Sequence, residues 1–172
     1  MEEKLIEVIV HGVVVDAISN STILLLTDHD KEKLLPIWIG TFEAISISQA
    51  LEKQIPERPL THDLITNILS DTGLTLNKVV IFSIKNNTYH SYLSLQTKDE
   101  RIIRIDSRPS DAVAVALRTN SPIYVSNEVY SVSTNFKDAL GKGADDLKNG
   151  AGKGIETDQL KDWLNDIKPS DF

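Results

Sequence analysis

The chain has 172 residues, 41% of them hydrophobic, no cysteine, and a formal net charge of −7 with a pI near 5.0. A length like this fits one domain, or one with an appendage; it buries roughly 70% of the surface of the unfolded chain, so no disulfide or structural metal is needed. The missing cysteines exclude thiolate zinc sites and cysteine nucleophiles, and the acidic balance argues against a nuclease, because nucleic-acid binders usually present a basic face that releases counterions.

The N-terminal MEEKLIEVIVHGVVV opens on acids, and His11 and Gly12 interrupt its apolar run. A secretory signal has the opposite charge order, and no apolar stretch approaches the ~20 residues of a membrane span, so a cytoplasmic protein is expected. Residues Leu5 to Val15, Thr22 to Leu26 and Leu34 to Ile39 read as strands, with Pro36 marking an edge or a bulge. The period then changes. In TFEAISISQALEKQ, Ala44, Ile47 and Leu51 share a helical face with Ile45 beside them, and Pro56 limits the helix. Thr61 reads as the N-cap of a second helix striped with Leu64, Ile65, Ile68 and Leu69, closed by Gly73.

Strands return from Leu74 to Ile84 and Tyr89 to Gln96, joined by an Asn86-Asn87 turn, and a third follows at Arg101 to Ile105. Pro109 suits a first helical turn for an Ala/Val helix through Arg118, and Ile123 to Val125 make a last strand. Hairpins mixed with a few helices predict an α+β fold with a mixed, largely antiparallel sheet. Residues 1–134 form this domain, 135–156 a Gly/Lys-rich linker, and 157–172 an amphipathic helix with Leu160, Trp163, Leu164 and Ile167 on one stripe.

Two segments carry candidate chemistry. In Arg58-Pro59-Leu60-Thr61-His62-Asp63, His62 and Asp63 fall in a helix's first turn, among N–H groups of partial positive charge. His62 suits a general base, proton shuttle or metal ligand, Asp63 a ligand or orienting group, and Arg58 a phosphate clamp. In Asp106-Ser107-Arg108-Pro109-Ser110-Asp111, the strand-to-helix turn combines projecting side chains with free N–H donors. Asp106 and Asp111 suit a divalent cation, and Arg108 a phosphate oxygen. The plainer reading of both is that hydroxyls and aspartates cap helices. Each segment is nonetheless an Arg-Pro followed by a hydroxyl residue and an aspartate at a helix entrance. Brought together, two such entrances make an anion site flanked by carboxylates, suited to phosphodiester cleavage. Glu43 is a candidate third acid; Trp38 reads as core in preference to a base-stacking platform.

LPIWIGTFEA, RPLTHDL and IDSRPSDAVAVALRTNSPIYV, in this order, resemble the bifunctional nuclease family over roughly residues 5 to 130, and LKDWLNDIKPSDF looks like the ending of many bacterial members. The resemblance implies an α+β homodimer with a groove as active site, and cleavage of both DNA and RNA. It places Glu43, Arg58, Thr61, His62, Asp63, Asp106, Ser107, Arg108, Ser110 and Asp111 on signature positions.

Two functions compete. In a metal-assisted phosphodiesterase, Asp63, Asp106, Asp111 and Glu43 would hold Mg²⁺ or Mn²⁺, His62, Asp63, Asp106 and Asp111 would carry catalysis, and Arg58, Thr61, Ser107, Arg108 and Ser110 would bind substrate. In a non-catalytic dimer, the same helix entrances would recognise a small anion, a nucleotide or a partner protein, which the acidic charge favours.

Overall fold

The computed structural model describes residues 4–15 and 21–135. The expected C-terminal helix lies outside these residues, as does all of the expected linker except Asn135. Eight strands form one sheet: β1 (Leu5–Val15), β2 (Thr22–Asp28), β3 (Lys33–Ile39), β4 (Thr75–Lys85), β5 (Thr88–Gln96), β6 (Ile102–Ser107), β7 (Ile123–Ser126) and β8 (Thr134–Asn135). Their order is β6-β5-β4-β7-β1-β2-β3-β8. Among the described residues only β4 and β7 run parallel and every other pair is antiparallel, so the fold is the expected α+β type. The helices are α1 (Thr41–Leu51), α2 (Thr61–Asp71), α3 (Pro109–Thr119) and the short α4 (Asn127–Ser131).

Local chemistry explains the turns. Asn86 and Asn87 both adopt positive φ, as the two-residue turn between β4 and β5 requires, and asparagine tolerates that region better than most residues. Gly73, at φ 73°, takes the left-handed position just past α2. Pro36 sits in β3 opposite Leu25, and β8 pairs only with Lys33 and Leu34, so beyond Leu34 β3 has one side without a described partner strand, the edge position where a proline is tolerated.

One face of the sheet carries the helices. Leu24, Leu26, Leu35, Ile37, Val79, Ile81, Leu93, Leu95, Ile123 and Val125 pack there against Ile47, Leu69 and the buried run Ala112–Ala116 of α3. Cross-strand partners share a face, which fixes the alternation: Val79 opposes Leu93, and Leu93 opposes Ile105. α3 is the central helix, and small side chains let it lie close to β4 and β5 with α1 and α2 against it. That packing aims the N-terminal turns of all three helices at one another. Among the described residues no helix is long and apolar enough to cross a membrane.

The helix stripes are narrower than the sequence suggests. Ala44 and Ile47 are buried, yet Ile45 and Leu51 remain exposed. In α2, Leu69 is buried while Leu64 and Ile68 are more than half exposed, because His62 takes an inward position on this face. Thr61 is not the N-cap: it is the first helical residue, Leu60 caps, and Asp63 accepts the Leu60 N–H at 2.9 Å. Neither Ser107 nor Ser110 caps α3; that position is Arg108.

Candidate functional site

His62 is the centre of the convergence. It is only 7% exposed, and both ring nitrogens find partners inside the protein. Nε2 lies 3.0 Å from Asp111 Oδ1 at the start of α3, and Nδ1 lies 2.8 Å from Ser46 Oγ in α1. An ionised carboxylate can only accept, so Nε2 carries the proton and donates it to Asp111, and in the neutral ring Nδ1 accepts from the buried Ser46 hydroxyl. Three helices far apart in sequence thus meet at one imidazole.

Asp111 continues the chain outward. Arg108 Nε and Nη2 donate to its two oxygens at 2.7 and 3.1 Å, and Nη2 also reaches Glu43 Oε1 at 2.7 Å. Burial opposes ionisation of Asp111, but hydrogen bonds from Arg108 and His62 outweigh it and hold the carboxyl below the usual aspartate range. The same bonds to Asp111, with Glu43 adding to them, push Arg108 further up. Glu43 folds back over the start of α1; a Cβ at Gly40 would collide with its carboxylate, so a larger residue there must push the Glu43 side chain aside.

A second pair backs the first. Arg118, in the last turn of α3, donates through Nε to Asp63 Oδ1 at 2.6 Å and through Nη1 to the carbonyls of Ser46 and Ala114. Its side chain is 11% exposed. Burial again opposes ionisation of Asp63, and the Arg118 and Leu60 N–H bonds overcome it.

A cleft of about 470 Å³ opens beside Arg108, at the N-termini of α1 and α3. Thr22, Gly40, Thr41, Tyr89 and Ser110 line it together with Arg108. Arg108 stands on the rim, with two-thirds of its side chain exposed. Tyr89 packs on the helix-bearing side, and its hydroxyl is buried with no hydrogen-bond partner among the described residues. Trp38 also borders the cleft, but it pairs with Ile23 and alternates with Ile37 and Ile39, so its indole lies on the opposite sheet face. Trp38 is half-buried and is not among the described core residues, so the expectation that it is core does not hold.

Other residues of the two segments stand apart. Asp106 pairs with Tyr92, and alternation with Ile105 and Ser107 turns its side chain to the sheet face away from the helices. No hydrogen bond or ion pair joins it to His62 or Asp111. Ser107 bonds Ser91 in the ladder between β5 and β6. Arg58 and Thr61 are exposed outside the network. The four carboxylates expected to share a cation do not form a ligand set. Glu43 and Asp111 are bridged by Arg108, Asp63 by Arg118, Asp106 is on the other face, and among the described residues no three acidic or histidine side chains are grouped to hold a metal. As arranged, these residues do not fit Mg²⁺ or Mn²⁺.

Sequence reasoning missed Ser46 and Arg118. Arg118 was detectable in principle: it ends an otherwise apolar helix seven residues, about two turns, after Asp111, and so sits on the same side of α3. Ser46 gave no signal beyond being a hydroxyl between two isoleucines.

The family model described as bifunctional nuclease domain matches residues 24–137, which span this network from Glu43 to Arg118. The chain belongs to the bifunctional nuclease domain family. It is similar to the uncharacterised protein Rv1829 of Mycobacterium tuberculosis, 34% identical over 166 residues that cover 96% of this chain and 97% of that one. It is also similar to Bifunctional nuclease 1 of Oryza sativa subsp. indica and Bifunctional nuclease of Oryza minuta, each 27% identical over 116 residues, or 66% of this chain and 35% of the rice proteins.

Proposed function

We propose that this protein is a nuclease that cleaves phosphodiester bonds of DNA and RNA at the Arg108 cleft. The observation that carries the reading is the single connected path Glu43–Arg108–Asp111–His62, drawn from three helices and ending in an exposed guanidinium at the cleft rim. A guanidinium fork matches two phosphate oxygens, and the uncapped first turns of α1 and α3 add N–H donors on the same side. When Arg108 turns to a phosphate, it loosens its hold on Glu43 and Asp111 and leaves two carboxylates beside the bound group. One of them accepts the proton of the attacking water as its oxygen bonds to phosphorus; the bond to the leaving sugar oxygen breaks and that oxygen takes up a proton from solvent, while His62 keeps Asp111 oriented through its Nε2–H. The cleft volume suits a nucleotide.

Cleavage of labelled single-stranded DNA and RNA oligonucleotides by the wild type, Asp111→Asn and His62→Gln tests this, each protein purified through two orthogonal columns and checked for fold by thermal melting. Loss of a positioned acid–base group costs ~10²–10⁴ in rate. Equal cleavage by all three proteins would assign the activity to a contaminant and end the proposal.

One observation favours a non-catalytic binding role instead: His62 is buried with both nitrogens engaged, as a clamp between helices would be. That reading predicts saturable, Arg108-dependent binding of a mononucleotide in calorimetry, with no cleavage by the wild type.

A further inference from the structure

We propose that the sheet face turned away from the helices is a second nucleic-acid surface, where unpaired bases stack on Tyr92 and Phe82 while Lys78 and Arg104 hold the phosphates. Strand alternation places these side chains. Val79, Ile81 and Leu93 pack on the helix side, so Lys78 and Phe82 of β4 and Tyr92 and Ser94 of β5 point the other way. The ladder ranks them in rows. Lys78, Ser94 and Arg104 oppose one another across β4, β5 and β6. Tyr124, Val80, Tyr92 and Asp106 form the next row, from β7 to β6. Beyond it, the Phe82 ring centre lies 5.7 Å from that of Tyr92 and 6.3 Å from that of His90. A cationic row thus borders an aromatic one.

Aromatic neighbours on a sheet are by themselves ordinary cross-strand packing. What sets this face apart is that, in a chain of net charge −7, Arg104 lies over the Tyr92 ring at 4.8 Å and Lys78 over the Tyr124 ring at 5.7 Å. The rings are half-buried and Arg104 is exposed. A cation over such a ring gives less than a stacked base does, so a base displaces Arg104 and the freed guanidinium takes the adjoining phosphate. Asp106 beside Tyr92 and Glu7 beside Tyr124 repel phosphate, which confines the backbone to the Lys78–Arg104 row. Every base has a flat face, so this surface is indifferent to sequence; a duplex hides those faces and is refused. Thr88, which lines the Arg108 cleft, precedes Tyr92 by four residues, about 13 Å along β5 at about 3.3 Å per residue. A single strand of a few nucleotides spans both. The proposal rests on the nucleic-acid part of the reading above, though not on its cleavage chemistry.

Fluorescence anisotropy of a labelled oligothymidylate of about twelve nucleotides tests it, with the full chain at low salt, the probe checked intact on a gel, and melting curves to confirm that each variant folds. Tyr92→Leu should weaken binding about fivefold or more, and Tyr92→Phe should stay within about twofold because the ring remains. Arg104→Gln should flatten the log–log salt dependence by about 0.7, the share of one phosphate contact on a single strand. A duplex of the same length should bind more weakly than the single strand. Tyr92→Leu and Arg104→Gln both binding like the wild type would overturn the proposal, whatever Arg108→Ala does. So would a duplex bound as tightly as the single strand, or a wild type that fails to bind at about 100 μM, the weak end of sequence-independent affinity. A wild type that binds through Tyr92 yet cuts neither DNA nor RNA would end the nuclease reading and leave this surface standing.

Discussion

Replacing Arg118 with methionine keeps the bulk of the side chain and removes the charge that backs the site. Three things are lost: the 2.6 Å bond to Asp63 and the bonds to the carbonyls of Ser46 and Ala114. Breaking a buried ion pair from one side costs about 3–5 kcal/mol, because the remaining charge is left unpaired. Asp63 keeps 22% of its side chain exposed and retains the Leu60 N–H, so water relieves part of that charge and the cost falls at the low end, about 3 kcal/mol. At about 2–4 °C per kcal/mol for a chain of this size, the melting temperature should drop by about 6–12 °C. Urea unfolding should show a lower midpoint at unchanged slope, since the surface exposed on unfolding is the same. The decisive comparison is the same substitution in an Asp63→Asn background, where no carboxylate is orphaned and the cost should shrink by at least ~1 kcal/mol. An identical loss in both backgrounds would mean that Arg118 stabilises by packing alone.

Gly40→Ala should displace the Glu43 carboxylate that the new Cβ would strike, lowering cleavage about tenfold or more while shifting stability by less than ~1 kcal/mol; activity and melting of one preparation check both. Arg108→Ala frees Glu43 and Asp111 from their shared cation, so Mn²⁺ at millimolar concentration should raise the melting temperature of this variant and leave the wild type unmoved. Asp63 and Asp111 titrate below the usual aspartate range, so the stability they add is present above the unfolded value of about 3.9 and disappears as pH falls through their folded values. Acid unfolding followed by circular dichroism should therefore steepen below about pH 4, and Asp111→Asn should flatten that limb. Oligonucleotide affinity should fall only shallowly with salt, with a log–log slope near about −1 to −2, because the acidic chain brings one exposed arginine to the cleft.

The strands, the Asn86-Asn87 turn and the entry of α3 at Pro109 were legible in the sequence, because each rests on local chemistry: alternation, positive φ, a fixed φ at a helix start. Helix burial was harder to read. Leu64 and Ile68 look like core by spacing, yet the inward face of α2 is occupied by His62, and only the packing of α2 against α3 decides which face turns in. The two helix entrances could be recognised as alike, but nothing local said that His62 would reach Asp111, 49 residues away. Asp106 shows the opposite failure. Five residues from Asp111 in sequence, it is carried to the other side of the sheet by the strand's two-residue alternation, whereas Asp111 lies past the turn into α3. Ser46 became visible only through its partner, since a buried hydroxyl is explained by what it bonds, whereas the spacing of Arg118 from Asp111 offered a signal that its burial and bonds then explain.

Cleavage rates of Arg108→Ala, His62→Gln and the double variant on one oligonucleotide, under single-turnover conditions, bear on the central claim most directly. If the path from Glu43 to His62 acts as a unit, the double variant should be no slower than the worse single one within a factor of about three. Losses that multiply would show that the guanidinium and the imidazole work separately, and undamaged activity in all three would remove the cleft from the chemistry.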